Sequence, residues 1–129
     1  MKPRKRIASI SEEKRASVAA YNREARRVVV LAREHGLICP VSLKVFRVEV
    51  HVEEIHHLRG KGCEALRHDK RGWMLINRLG HFWAGNNRKK ARELGFLCPL
   101  GKWGTPFKPG EPPMPGSVAS WKNWERAEF

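Results

Sequence analysis

Glu54-Ile55-His56-His57-Leu58-Arg59-Gly60 closes a run of apolar residues with two adjacent imidazoles, and the reading of the fold turns on it. Upstream of it, Val45, Phe46, Val48, Val50, Val52 and Ile55 are β-branched or aromatic, and Val48, Val50 and Val52 alternate with polar or charged neighbours. That is the pattern of extended chain, so the stretch from Val41 to His57 is predicted to be a strand. Gly60, Gly62 and the charged stretch Glu64 to Arg71 interrupt it, and Trp73-Met74-Leu75-Ile76 offers a second short strand. From Gly80 to Leu94 the chain is helix-compatible, with His81 in its opening turn, the cations Arg88, Lys89, Lys90 and Arg92 further on, and Gly95 as its stop. Strand, strand and helix therefore follow in order, with histidines at the tip of the first strand and the start of the helix.

Successive residues of a strand face opposite sides, so His56 and His57 cannot share one task. One can bind a metal while the other faces a substrate. Neutral imidazole is a good ligand for divalent metals, and its ordinary pKa near neutrality also suits it to take a proton from water. The mechanism this suggests places a divalent cation between His56 and His81, where charge grows on a leaving 3′ oxygen, and gives His57 the attacking water. Arg59, Arg88, Lys89, Lys90 and Arg92 are the candidates for holding flanking phosphates.

The rest of the chain suits a polyanionic partner. Of 129 residues, 26 are Lys or Arg and 13 are Asp or Glu, and a formal charge of +13 on so short a chain points to a polyanionic partner such as DNA or RNA. Residues 1–8 form a basic arm in which Arg4, Lys5 and Arg6 are expected to be disordered until they meet phosphate. Residues 9–98 are read as one domain. Within it, Ser9-Ile10-Ser11-Glu12 has the serine-then-acid spacing of a capping box, and Val18, Tyr21, Ala25, Val28 and Ala32 recur at helical spacing, which predicts a long amphipathic helix ending near His35-Gly36. Arg23, Arg26, Arg27 and Arg33 lie off its apolar stripe. Residues 99–129 are a Pro- and Gly-rich tail, irregular and wrapping, with a short terminal helix compatible with Ser117 to Phe129.

Trp73, Phe82, Trp83 and Phe96 are expected in the core, whereas Trp103, Trp121 and Trp124 are expected to pack the tail or meet a partner. His51 reads as an exposed strand residue, and His68-Asp69 as a solvated loop pair. Cys39, Cys63 and Cys98 are odd in number and form no CxxC pair, which favours reduced thiols, a cytoplasmic location and no structural zinc. No stretch is long and apolar enough to span a membrane.

The motifs Glu54 to Gly60, Asp69-Lys70-Arg71-Gly72-Trp73, Asn77-Arg78-Leu79-Gly80-His81-Phe82-Trp83 and Ala91 to Cys98, taken in this order and spacing, resemble small phage and prophage HNH endonuclease-like proteins. The likeness covers roughly residues 1–108. It implies an α+β fold with a long N-terminal helix, a ββα-metal core and the Pro/Gly-rich tail. It also implies one divalent metal ion, Mg²⁺ or Mn²⁺ ahead of Zn²⁺ or Ni²⁺, with His56 and His81 as ligands and His57 as general base. The chain departs from the group in two places. Asn77 and Gly80 stand where a second zinc-binding CxxC pair is common, with Cys39 near the place of the first. Gly85 stands where a further histidine is common, leaving Asn86 as the nearest substitute ligand. The readings that follow are a DNA endonuclease or nicking enzyme, an inactive HNH-derived nucleic-acid-binding protein, and a basic structural protein of a virion or ribonucleoprotein particle working with phage packaging or assembly proteins.

Overall fold

The structure is a computed structural model and describes residues 11–120. The arm carrying Arg4, Lys5 and Arg6, and the segment with Trp121 and Trp124, lie outside the described residues. Helices α1 (Glu12–Glu34), α2 (Pro40–Phe46), α3 (Glu64–His68), α4 (Arg78–Asn86) and α5 (Arg88–Glu93) surround one antiparallel hairpin of β1 (Glu54–His57) and β2 (Trp73–Ile76). The fold is mixed helix and sheet with a long N-terminal helix.

Helix α1 begins at Glu12, within the serine-and-acid stretch that predicts its start. The Ser11 side chain accepts a hydrogen bond from the Lys14 backbone N–H, with Glu12 and Glu13 in the first turn against the positive end of the helix dipole. It ends at His35, and Gly36 takes the left-handed conformation (φ 69°) that lets Leu37 N–H reach back to the Ala32 carbonyl. Val28 and Ala32 are fully buried, and Tyr21, Ala25 and Val29 pack beside them. Arg23, Arg26, Arg27 and Arg33 are exposed, and Arg33 donates to the Val52 carbonyl at 3.0 Å.

The hairpin separates two apolar clusters, and β2 feeds both by simple alternation. Trp73 and Leu75 join Ile55, Val52, Val118 and the α1 stripe. Met74 and Ile76 join Leu58, Cys39, Val41, Ala84, Ala91, Phe96 and Leu97. All four residues of β2 are buried, so both of its faces are covered. The register pairs His56 with Met74 and His57 with Trp73, which sends the two imidazoles to opposite sides of the sheet.

Three local expectations are corrected. The stretch from Val41 to His57 is not one strand, because Pro40 sits at the first turn of α2 and the Cys39 thiol caps it, accepting from Ser42 N–H at 3.4 Å. Helix α2 ends at Arg47 (φ 56°), and Val48 to Val52 follow outside the hairpin, which Glu53 then meets by donating its N–H to the Ile76 carbonyl at 2.8 Å. They run beside Leu37 to Cys39, with Cys39 N–H donating to Val50 and Val52 N–H to Leu37. Glu64 to His68 is helical rather than a loop. The helix expected over Gly80 to Leu94 is two helices, broken at Asn87, because the Asn86 and Asn87 amides donate back to the Phe82 and Trp83 carbonyls at 2.9 Å.

Cys39, Ser42, Asn77 and Gly80 come together between α2 and α4. Ser42 Oγ donates to Asn77 Oδ1 at 2.6 Å, and Gly80 N–H donates to the same oxygen at 2.8 Å, capping α4. A Cβ at Gly80 would lie 2.9 Å from Cys39 Sγ and 3.0 Å from Val41 Cβ, so only glycine lets the two helices approach this closely.

After Cys98 the chain is tied back onto the domain. Arg59 donates to the Thr105 and Pro106 carbonyls and to Thr105 Oγ1, and pairs with Glu111. Arg71 pairs with Asp69 and donates to the Lys108 and Glu111 carbonyls. The buried Phe107 ring lies 4.0 Å from the Arg59 guanidinium carbon and 4.8 Å from that of Arg71. Val118, in a 3-10 turn at Val118–Ser120, is buried against the α1 cluster.

Candidate active site

Strand β1 and helix α4 bring His56 and His81 together, with ring centroids 5.1 Å apart and planes inclined at 63°. Each imidazole already has one nitrogen committed. His56 Nε2 lies 2.7 Å from the Phe96 carbonyl, which can only accept, so that nitrogen carries the proton. His81 Nδ1 lies 2.7 Å from Glu54 Oε1, which makes Glu54 the acceptor behind it. Glu54 and His56 are two apart on one strand and therefore share a face. His56 Nδ1 is left with a lone pair, and His81 Nε2 makes no hydrogen bond to another described residue.

His57 faces the other way, toward α1. Its Nε2 is 3.3 Å from the Tyr21 hydroxyl, its ring is 5.6 Å from the Tyr21 ring, and it also hydrogen-bonds the Arg67 backbone. Burial pushes the pKa of His57 down to about 4, with Lys61 and His56 adding to the effect. Burial likewise lowers His56 to about 4, opposed by its bond to the Phe96 carbonyl and helped by His81 and Arg88. Both imidazoles are therefore neutral at physiological pH, the form that binds a metal or accepts a proton.

A cavity of about 210 Å³ opens over this group, lined among others by His56, His57, His81, Lys61, Arg88 and Trp103. Its cations face the histidines from the ends of β1 and α5. A larger cavity, about 480 Å³, lies between α1 and β1 and shares Ile55, Lys61 and His81 with the first. Its other walls include Tyr21, Asn22, Arg26, Val29 and Glu54.

The residues expected to act from sequence are thus distributed unevenly. His56, His57, His81 and Arg88 meet at one cavity. Lys89 and Lys90 are exposed, Lys90 lies 3.8 Å from Glu93, and Arg92 is half-buried, all three outside that lining. Arg59, expected to hold a phosphate, is instead buried at 4 % exposure with its guanidinium spent on the segment 105–111. Asn86, expected as a substitute ligand, is exposed and donates to the Phe82 carbonyl, while Gly85 lines the cavity with open space where its Cβ would be.

Phe82, expected in the core, is 71 % exposed, whereas Trp73 and Phe96 are buried and Trp83 is half-buried. His51 is exposed, and His68, also exposed, hydrogen-bonds Ser17 across to α1. From sequence, Glu54 and Lys61 have no separate role, Tyr21 is placed only in the apolar stripe of α1, and Trp103 is assigned to the tail or a partner rather than to this cavity. Glu54 was the accessible one, since i, i+2 spacing from His56 puts both on one strand face.

Among the described residues no group of three or more His, Cys, Asp or Glu side chains is arranged to hold a metal ion, and no helix is long and apolar enough to cross a membrane. A scan against protein-family models, a search of curated proteins and a search of solved structures each returned no match to this chain.

Proposed function

We propose that the chain is a metal-dependent endonuclease or nicking enzyme of the HNH, ββα-metal, type, hydrolysing phosphodiester bonds in DNA. One observation carries the reading: His56 and His81 face each other at 5.1 Å, each with one nitrogen held by a fixed acceptor, Phe96 or Glu54, and the other left to coordinate. An imidazole whose second nitrogen is bonded to a carbonyl or a carboxylate is the usual state of a metal-ligating histidine. The donor set fits one divalent ion bound by two imidazoles, with water and phosphate oxygens completing its coordination. Imidazole donors suit Zn²⁺ or Ni²⁺ better than the harder Mg²⁺ or Mn²⁺, which would rely more on water and phosphate oxygens. When bound, the ion would act as a Lewis acid on a phosphate oxygen and the leaving 3′ oxygen.

The chain's own groups supply the rest of the chemistry. His57 is neutral, with Nε2 unprotonated when Tyr21 donates to it, so the proton of an attacking water would reach that nitrogen through the Tyr21 hydroxyl, which passes its own proton to Nε2 as it takes the water's. A phosphate anion entering the cavity opposes the desolvation that lowers His57, raising its basicity as substrate arrives. Arg88 and Lys61 neutralise the phosphate from the cavity wall. The charge of +13 supports a nucleic-acid substrate held mainly by its backbone.

A second reading, a DNA-binding protein without catalysis, is favoured by Gly85, which offers no ligand on the exposed side of His81. Incubation of supercoiled plasmid with purified protein and Mn²⁺ or Mg²⁺ separates the two. Endonuclease action predicts nicking abolished by EDTA and by His57→Ala; DNA binding without metal-dependent nicking supports the second reading. Nicking that persists in His57→Ala would overturn the assignment of that residue.

A further inference from the structure

We propose that the segment following Cys98 completes the histidine cavity, with Trp103 as a positioning residue that holds the Arg88 guanidinium over it for a DNA phosphate. The Arg88 guanidinium carbon lies 4.5 Å from the Trp103 ring centroid, and both side chains line the cavity that holds His56, His57 and His81. The inference rests on the nucleic-acid-binding part of the proposed function and not on its chemistry.

The two other arginines that meet this segment make the contrast. Arg59 and Arg71 spend their donors on carbonyls and carboxylates, as structural clamps do. Among the described residues Arg88 has no hydrogen-bond acceptor or carboxylate partner, only the indole face. Its N–H groups are therefore unspent, and a guanidinium with a free fork beside a polar cavity is suited to a bidentate phosphate contact. An aromatic face can orient the guanidinium without consuming those donors, which a carboxylate would not do.

Trp103 is held for this task rather than for core packing. It is 50 % exposed, so burial of the indole does not account for its placement. Gly104 N–H donates to the Arg59 carbonyl at 2.7 Å, fixing the chain next to the indole. On the other side, Gly60 has a positive φ of 86°, and a Cβ there would lie 3.1 Å from the indole Cε2. The ring thus rests directly on backbone at the end of the histidine strand. The clamps of Arg59 and Arg71 on Phe107 anchor the segment that carries it.

The test is a double-mutant cycle read by DNA binding rather than cleavage. Anisotropy of a labelled duplex oligodeoxynucleotide is measured in EDTA over a salt titration, using the full chain, Arg88→Ala, Trp103→Ala, Trp103→Phe and the double alanine variant. Loss of the arginine is expected to weaken binding by about tenfold, the scale of charge-assisted hydrogen bonds, and to lower the salt slope by about one. Trp103→Ala removes no charge, yet is expected to lose affinity and salt slope together, with Trp103→Phe retaining most of both. The double variant is expected to bind as Arg88→Ala does.

Additive losses in the double variant, or a Trp103→Ala protein whose salt slope equals that of wild type, overturn the proposal. A merely structural tryptophan would lower the melting temperature without moving the slope in step with Arg88. Plasmid nicking by the wild-type protein is scored separately. Coupling without nicking would leave the positioning role standing and remove the nuclease reading, whereas nicking with additive losses would do the reverse. Absence of DNA binding by the wild-type protein would remove both.

Discussion

Replacing Arg59 by alanine distinguishes a structural clamp from a phosphate contact, the two roles that an arginine after a histidine pair can play. At 4 % exposure its guanidinium pairs with Glu111, donates to the Thr105 and Pro106 carbonyls and to Thr105 Oγ1, and covers the Phe107 ring at 4.0 Å. Truncation strips these acceptors of their donor and leaves Glu111 without its main partner. Leaving those carbonyls without their donor costs about 1–3 kcal/mol, whereas Glu111 stands at the solvent side of the pair and adds little. Summing the hydrogen bonds separately would exceed that figure, but they share one side chain and are not additive. Against a total stability on the order of 5–15 kcal/mol, a loss of that size is large. For a chain of this length it corresponds to a fall in melting temperature of about 4–12 °C.

Arg59→Lys should lose most of the same stability, because an ammonium cannot fork between Glu111 and the Thr105 and Pro106 oxygens. Thermal unfolding followed by far-ultraviolet circular dichroism measures this, and DNA affinity against salt, taken well below the transition, supplies the second arm. The reasoning fails if Arg59→Ala melts within about 3 °C of wild type while its DNA-binding salt slope drops by about one. That pair of results would make Arg59 a phosphate contact and the clamp geometry incidental.

Acid should destabilise the metal-free protein before its carboxylates titrate. His56 and His57 are lowered by burial from 6.5 to about 4, so the unfolded chain binds more protons than the folded one between those values, and stability falls as pH falls through that window. Each imidazole contributes about 3 kcal/mol that is present above about 6.5 and lost toward about 4. Urea unfolding in EDTA at a series of pH values reads it, and a midpoint that stays flat from neutral pH down to about 4.5 would contradict the burial argument. Gly80→Ala sets propensity against packing: alanine in a helix ordinarily gains up to about 1 kcal/mol, but contacts of 2.9 Å to Cys39 Sγ and 3.0 Å to Val41 Cβ predict a net loss. The expected loss is about 1–3 kcal/mol, and a raised melting temperature would show that α2 and α4 can separate without cost.

Much of the local structure was readable in the chain because its signals act over one turn or one strand. Ser11 and Gly36 bound α1 at both ends, and Trp73 to Ile76 is the second strand as its apolar run predicts. The opposite orientation of His56 and His57 follows from strand geometry alone, and the hairpin register bears it out. Two local signals run against the apolar or helical pattern that surrounds them. Pro40 after Cys39 marks a helix start within a β-branched stretch, and Asn86-Asn87 marks a break within a helix-compatible one.

What the sequence determined by itself was therefore the succession of elements around the histidines, because caps, glycines and periodicity couple residues a few positions apart. Only the tertiary structure decided the employment of the side chains. Arg59 is chemically the same whether it meets a phosphate or Glu111, 52 residues away, and nothing in its neighbourhood states which. Tyr21 reaches His57 over 36 residues, Glu54 reaches His81 over 27, and Trp103 meets Arg88 from a segment whose composition suggested a tail. Those partnerships are set by how α1, α4 and the residues after Cys98 pack on one two-stranded sheet, and a pattern with a period of two or 3.6 residues carries no record of contacts at such separations.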